Sequence, residues 1–200
     1  MLPMPLQWGS PISVIPVLLS QAVIPQQLTD VTSVGSSSLQ DEINSEGLSV
    51  LLQYFEDYRK ALGGTSAHVS LEIPALAEMI GRLQASFQTQ KSKNVDFLNR
   101  AEQVCQRING ARLTSCKSAK DRTGMAVTYE MCLMLGSQYD LHPDNFQQVL
   151  NAVRSRGTRL ENCYKNLGVR KYNFSSLQLK CAPKQYCPPE GSYGKAKDKT

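Results

Sequence analysis

Residues 116–130 read CKSAKDRTGMAVTYE, so that five residues separate Cys116 from Arg122. A short, partly β-prone segment, 112–115, comes before the cysteine, and a long and mostly apolar run follows Thr123. A helix with apolar residues on nearly all sides is typical of a protein interior. Loop amides that lead into a helix N-terminus converge on anions. The pattern therefore predicts a phosphate-binding loop between a strand and a buried helix, with Cys116 at its base.

The residue types of this loop suit a cysteine-dependent phosphatase. Loop amides and the cations Lys117, Lys120 and Arg122 favour the thiolate form of Cys116, which is the reactive form. The planar guanidinium of Arg122 can hold two phosphate oxygens, which an ammonium group cannot do in the same way. Attack of the sulfur on phosphorus would give a phosphocysteine that water then hydrolyses. Thr123 is placed to hydrogen-bond near the sulfur and to ease its departure.

The leaving alkoxide needs a proton, and Asp121 inside the loop could supply it as a general acid. Alternatively, Asp121 orients loop amides or pairs with a lysine, and the acid comes from an upstream loop. Asp96 and Asp57 are candidates for that role, although both also fit solvated helix positions. The sequence leaves the identity of the acid open.

The motif resembles the active-site signature of the inositol polyphosphate 4-phosphatases. The likeness runs from about Ser10 to the end of the chain and includes VIPVLLSQAVIPQQL, SLQDEINSEGLSVLLQYFEDYRK and RGTRLENCYKNLGVRKYNFSSLQ. The resemblance implies removal of the 4-phosphate from phosphatidylinositol 3,4-bisphosphate, with neither a metal nor another cofactor. Complete family members are longer and begin with a lipid-binding C2 domain, to which nothing here corresponds, so we expect a fragment or a short isoform.

The resemblance also implies roles for individual loop residues. Cys116 would be the nucleophile and Arg122 the phosphate-binding residue, and the two loop lysines would contact the inositol phosphates. A general acid at the Asp121 position resembles the arrangement in the myotubularin lipid phosphatases, whose active-site loop shares the Asp-Arg-Thr ending. We assign four residues to the substrate-binding part of the loop: Lys117, Ser118, Ala119 and Lys120.

We expect an α/β fold of the cysteine-phosphatase type, rich in helices, with a small partial sheet and a phosphate-binding strand-loop-helix. The expected organisation is an N-terminal extension at 1–10, a catalytic region at 11–180 and a disordered tail rich in Pro, Gly and Lys at 181–200. Apolar periodicity predicts helices at 44–62, 75–90 and 95–108 and another that begins at Pro143. Weaker patterns suggest strands at 12–19 and 68–73, with a loop at 29–42.

The charges of the chain are divided unequally along its length. The net charge is +5, but residues 1–100 carry six Lys/Arg against nine Asp/Glu (−3), whereas residues 101–200 carry sixteen against eight (+8). A basic half around the loop would attract a phosphoinositide headgroup and an anionic membrane surface, which predicts a peripheral membrane protein. Nucleic acid is disfavoured, because aromatic residues are not interleaved with the basic ones. Outside the loop, the basic residues of this half include Arg154, Arg156, Arg159, Lys165, Arg170 and Lys171.

The six cysteines are scattered, and no export signal is visible at the N-terminus. A thiolate nucleophile needs a reducing compartment, so we expect a cytoplasmic enzyme at the endosomal or plasma-membrane surface. No His or CxxC pair supports a metal site near Cys181 and Cys187. Two alternatives to a phosphoinositide phosphatase remain: an inactive truncated fragment of such an enzyme, and a protein tyrosine or dual-specificity phosphatase.

Overall fold

A computed structural model describes residues 7–11, 13–24, 37–62 and 67–194 of the 200-residue chain. The described part is dominated by helices, which are joined by short turns and extended segments. In chain order the helices are α1 (Ser37–Leu62), α2 (Ala67–Gln88), α3 (Val95–Arg107), α4 (Asp121–Gln138), α5 (Pro143–Arg156), α6 (Thr158–Leu167), α7 (Ser176–Lys180) and a 3-10 helix (Lys184–Tyr186).

The expected α/β fold with a partial sheet is wrong for the part of the chain that the structure describes. Only a single parallel bridge, between Tyr172 and Tyr193, joins extended segments there. Segment 112–115 has no regular secondary structure and pairs with no strand of the described residues, so the loop follows an unpaired segment instead of ending a strand. Segment 68–73 belongs to α2, because the helical spacing continues through the buried residues Leu76, Ile80 and Leu83.

Helices α1, α2 and α3 pack around one apolar cluster. Its buried residues come from all three helices: Leu48, Leu51, Phe55, Leu76, Ile80, Leu83, Phe97 and Val104. At the start of α3 the Asn94 side chain accepts a hydrogen bond from the Phe97 amide (3.1 Å) and donates one to the Ser86 carbonyl (2.8 Å). This cap explains why α3 begins where it does, since Asn is a favoured N-cap residue. The predicted helices at 44–62 and 95–108 correspond to α1 and α3; α1 begins earlier, at Ser37, within the segment expected to be a loop.

A second apolar cluster lies beneath the N-terminal half of α4. It contains Val23, Ile24, Val95, Met125, Ala126, Leu160, Tyr172, Phe174 and Tyr186. The sequence predicts disorder for the tail, whereas Tyr186 is buried in this cluster and the Tyr172 amide donates to the Ser192 carbonyl at 2.7 Å. Residues 181–194 are therefore folded onto the core, and residues 195–200 lie outside the described residues.

Arg154 is the largest fully buried side chain, with 1% of its surface exposed. Its guanidinium donates to the carbonyls of Met125 in α4 (3.0 Å), Gln185 (2.6 Å) and Cys187 (2.8 Å). The expectation that Arg154 belongs to a basic surface is therefore wrong. Instead, Arg154 ties α5 to α4 and to the C-terminal segment.

One side of α4 differs from the expectation of a buried helix. Met125, Ala126 and Cys132 are buried, but Val127, Met131 and Met134 are 44%, 43% and 36% exposed. The predicted burial is thus right for one face of α4 only. Among the residues that the structure describes, no helix combines the length and apolar character needed to cross a membrane.

Candidate active site

The loop that carries Cys116 lies between the end of α3 and the start of α4. The chain leaves α3 through a turn in which the Gly110 amide donates to the Cys105 carbonyl at 2.8 Å. Residues 111–115 then lead to Cys116 without regular secondary structure. The loop turns back at Ala119, whose φ of +47° is left-handed and whose amide donates to the Cys116 carbonyl at 3.0 Å. This turn brings the first residues of α4 towards the sulfur.

The Cys116 thiol is half-buried among hydrogen-bond donors. Burial alone would raise its pKa, but the Thr123 side chain and the backbone amides of Thr123, Lys120 and Ser118 lower it to about 7. In contrast, burial raises the pKa of Cys105, Cys132 and Cys187. A substantial fraction of Cys116 is therefore thiolate at neutral pH, as a cysteine nucleophile requires.

Thr123 is the side chain that faces the sulfur from α4. Its Oγ1 is buried and makes no hydrogen bond of ordinary geometry with the described residues. Against the effect of burial, this hydroxyl makes the largest contribution to the lowered pKa of Cys116. The part of Thr123 in the departure of the sulfur stays a prediction.

The cations that are predicted to bind phosphate and substrate have no carboxylate partners among the described residues. Lys117 and Lys120 are exposed and Arg122 is half-buried, and none of the three forms an ion pair within the described residues. Ser118 and Ala119 are also exposed at the tip of the loop. The loop therefore offers amides and free cations together, which is an arrangement that can bind an anionic group.

Asp121 has a different environment from the free cations. Its Oδ1 accepts a hydrogen bond from Nε of Arg159 in α6 at 2.9 Å and lies 2.8 Å from Nη2 of the same residue. The upstream acid candidates Asp96 and Asp57 lie on exposed helix faces and pair with Arg100 and Lys60 of their own helices. Of the three carboxylates considered as acids, Asp121 alone belongs to the loop.

A buried ionic cluster next to the loop was missed by the sequence analysis. Nη2 of Arg112 lies 2.6 Å from Oε1 of Glu130 in α4, and Nη1 of Arg112 lies 4.0 Å from Oε2 of Glu102 in α3. Burial, reinforced by the charge of Glu130, raises the pKa of Glu102 to about 7 even though Arg112 opposes the shift. The sequence contains one signal for the burial of Glu102: it follows Leu98 by four residues, which places it on the apolar face of α3.

All six cysteines are free, and no cluster of His, Cys, Asp and Glu among the described residues could hold a metal ion. The candidate site comprises Cys116, the loop amides and the loop cations, with the Asp121–Arg159 pair and the cluster of Arg112, Glu102 and Glu130 beside them.

Comparison with known proteins agrees with the resemblance seen in the sequence. Residues 1–186 match the family model described as the INPP4A C-terminal domain. The chain is 40% identical over 195 residues to the human inositol polyphosphate 4-phosphatase type II and 38% identical to the rat type II inositol 3,4-bisphosphate 4-phosphatase. It is also 28% identical over 220 aligned positions to the human phosphatidylinositol 3,4,5-trisphosphate-dependent Rac exchanger 2 protein.

These alignments include nearly all of this chain but only part of each relative. They cover 98% of the chain and 21% of either 4-phosphatase, and 95% of the chain and 13% of the Rac exchanger. The chain belongs to the INPP4A C-terminal domain family, and the predicted likeness to the inositol polyphosphate 4-phosphatases is confirmed. It spans about a fifth of the length of the 4-phosphatases that it matches.

Proposed function

We propose that this chain carries the catalytic loop of a phosphoinositide phosphatase that removes the 4-phosphate from phosphatidylinositol 3,4-bisphosphate. Family membership supports the class of substrate, because two of the relatives are named as inositol 4-phosphatases. The observation that carries the proposal is the lowered pKa of Cys116, to which the Thr123 side chain and the amides of Thr123, Lys120 and Ser118 contribute against the effect of burial. A thiolate at neutral pH supplies the nucleophile without a metal or an external base.

The reaction would proceed in two displacements. In the first, Sγ of Cys116 attacks phosphorus, the bond from phosphorus to the inositol oxygen breaks, and that oxygen takes a proton. In the second, water attacks the phosphocysteine, and the sulfur leaves as a thiolate that the Thr123 hydroxyl stabilises. Arg122 and the loop amides would hold the equatorial phosphoryl oxygens in both steps.

Asp121 is the candidate for the acid that protonates the leaving oxygen, because it lies in the loop beside Arg122. In the free structure its carboxylate is held by Arg159, so protonation of the leaving group requires that Asp121 exchange this partner when substrate binds. Catalytic hydrogen bonds often form only in the substrate complex, so the free geometry is compatible with this role.

Recognition of the inositol ring would fall to Lys117 and Lys120. Both are exposed and lack carboxylate partners within the described part of the chain, so each can pair with a ring phosphate at little cost. Two such cations favour a multiply phosphorylated headgroup over a single phosphotyrosine. The excess of basic residues in 101–200 would hold the enzyme at an anionic cytoplasmic membrane surface, endosomal or plasma-membrane, as a peripheral protein.

A second candidate is a non-catalytic fragment. It is favoured by the exposed apolar face of α4 (Val127, Met131 and Met134). Such a fragment would keep the loop as an anion-binding surface without turnover. The two candidates differ in whether phosphate is released.

The deciding experiment measures phosphate release from short-chain phosphatidylinositol 3,4-bisphosphate and from a phosphotyrosine peptide. We expect release from the lipid, a loss of roughly a thousandfold or more in Cys116→Ser, and no loss in Cys181→Ser, a half-buried cysteine outside the loop. Release from the peptide alone would replace the lipid substrate with a protein substrate. A folded wild type that is inactive on both would favour the non-catalytic fragment.

A further inference from the structure

The segment that delivers Cys116 to the loop has few attachments of its own. We call residues 111–115 the connecting arm. The arm has no regular secondary structure, its backbone makes no hydrogen bond with the described residues, and Leu113 is 99% exposed. Within the described part of the chain, the one side-chain hydrogen bond from its distal end is local, from the Ser115 hydroxyl to the Cys116 carbonyl. Such a segment is free to move unless one side chain holds it.

Arg112 is the side chain that holds the arm. It is three-quarters buried and lies 2.6 Å from Glu130, which is two and a half turns into α4. Its second nitrogen faces Glu102, of which only 4% is exposed and whose Oε2 has no hydrogen-bond partner among the described residues. Arg112 thereby links the arm to both α3 and α4, the two helices between which the loop is suspended.

The position of the arm matters because the donors that lower the pKa of Cys116 come after the arm in the chain, in the loop and at the start of α4. The amides that stabilise the thiolate belong to Ser118, Lys120 and Thr123, on the far side of the loop and in the first turn of α4. A change in the position of the arm would therefore change the distance between the sulfur and these donors.

We propose that Arg112 is a positioning residue for Cys116: its ion pair with Glu130 fixes the connecting arm against α4 and keeps the sulfur at the focus of the loop donors. The inference rests on the proposed function only for its effect on turnover. Its effect on the thiol is a property of the free protein, so it can be measured without substrate.

The test measures the rate at which iodoacetamide alkylates Cys116 as a function of pH, with mass spectrometry to separate its peptide from those of the other cysteines. In Arg112→Gln, we expect the midpoint of the rate profile to move to higher pH. Alkylation at pH 7 should fall roughly fivefold, which is the loss given by an upward shift of about one pKa unit. Arg112→Lys should restore part of the rate, because it keeps the charge but not the two-sided geometry.

Two further variants make the result decisive. Glu130→Gln removes the partner charge while leaving Arg112 in place, and it should shift the midpoint in the same direction by a smaller amount. Arg107→Gln is the control, because Arg107 pairs with Glu72 of α2 at 3.5 Å, in a more exposed position, and makes no ion pair with α4 in the described part of the chain. We expect the control to keep the wild-type profile.

The outcomes separate this proposal from the proposed function. A folded Arg112→Gln or Glu130→Gln with an unchanged midpoint would overturn the positioning role, and so would an equal shift in Arg107→Gln. If Arg112→Gln fails to fold, Glu130→Gln decides alone. If the wild type hydrolyses no phosphoinositide but the Arg112 and Glu130 variants shift the midpoint, the positioning role stands and the proposed function fails.

Discussion

The Nε group of Arg159 in α6 donates to Oδ1 of Asp121, the first residue of α4, at 2.9 Å, and Nη2 of the same guanidinium lies 2.8 Å from that oxygen. Residues 38 positions apart thereby join the candidate loop to α6. The pair has two consequences: it fixes the N-terminus of α4, and it gives Asp121 a partner that substrate must displace if Asp121 is the acid.

If Asp121 is the acid, the loss of activity on replacing it should depend on the leaving group. We expect Asp121→Asn to slow hydrolysis of the lipid by about a hundredfold or more, because the inositol alkoxide needs a proton as it leaves. The loss on p-nitrophenyl phosphate should be much smaller, because p-nitrophenolate leaves without protonation. The measurement is kcat/KM on both substrates. Equal losses on the two substrates would mean that Asp121 acts by holding α4 in place through Arg159. In that case, Arg159→Gln should lower both activities by a similar factor.

Cys116 should be the first cysteine to react near neutral pH. With its pKa lowered to about 7 by the Thr123 side chain and the loop amides against the effect of burial, its alkylation rate should rise through pH 7. The pKa values of Cys105, Cys132 and Cys187 are raised by burial, so these thiols should lag well behind. Peptide mass spectrometry after brief labelling at pH 7 provides the check. Preferential labelling of any of the other five would contradict the described environment.

Glu102 should make the fold less stable as the pH rises. Burial raises its pKa from 4.5 to about 7, so the folded state holds this proton more tightly than the unfolded state does. The resulting stability is fully present below pH 4.5 and is lost as the pH rises through about 7. The groups that face Glu102 are Glu130, Arg112, Gln106, Cys105, Tyr129 and Tyr186.

The neutral isostere Glu102→Gln should remove this dependence. We expect it to be more stable than the wild type at pH 8 by about 1–3 kcal/mol and nearly equal to it at pH 5. Urea unfolding at the two pH values measures the difference. Glu78→Gln is the control, because Glu78 is exposed and pairs only with Arg82 of its own helix. A wild type whose unfolding free energy falls no more than that of Glu102→Gln between pH 5 and 8 would refute the assignment.

Replacing Arg154 should strongly destabilise the fold. Replacing it with Met leaves the carbonyls of Met125, Gln185 and Cys187 without their shared donor in a buried site. We expect the free energy of unfolding to fall by roughly 3 kcal/mol or more. Arg156→Met, an exposed arginine in the last turn of the same helix, should change it by less than about 0.5 kcal/mol. Similar losses in the two variants would contradict the linking role of Arg154.

The helices were the predictable part of the fold. Apolar residues at helical spacing predicted α1 and α3, and the predicted start of α5 at Pro143 is confirmed, with the His142 side chain accepting from the Asp144 amide at 3.3 Å. These features depend on residues within one or two turns of each other, so the sequence contains them directly. The strands failed for the opposite reason: a strand needs a partner, and no local pattern shows whether one is present.

The candidate site also has a part that the sequence predicts and a part that it does not. The spacing of Cys116, Arg122 and Thr123 is local, and it was sufficient to predict the loop at the start of α4. The supporting residues depend on contacts between distant segments, such as Arg159 with Asp121 and Arg154 with Gln185. A basic residue is usually exposed, so composition assigned Arg154 to the surface, and only the folded chain shows the carbonyls that bury it.

The central claim, that Cys116 attacks phosphorus, is tested most directly by trapping the intermediate. The chain is mixed with short-chain phosphatidylinositol 3,4-bisphosphate, quenched in acid within the first turnovers and digested for mass spectrometry. We predict one phosphoryl group on the peptide that contains Cys116, no such adduct in Cys116→Ser, and phosphate release only in the wild type. Phosphate release that persists in Cys116→Ser, or a folded wild type that forms no phosphocysteine, would contradict the account.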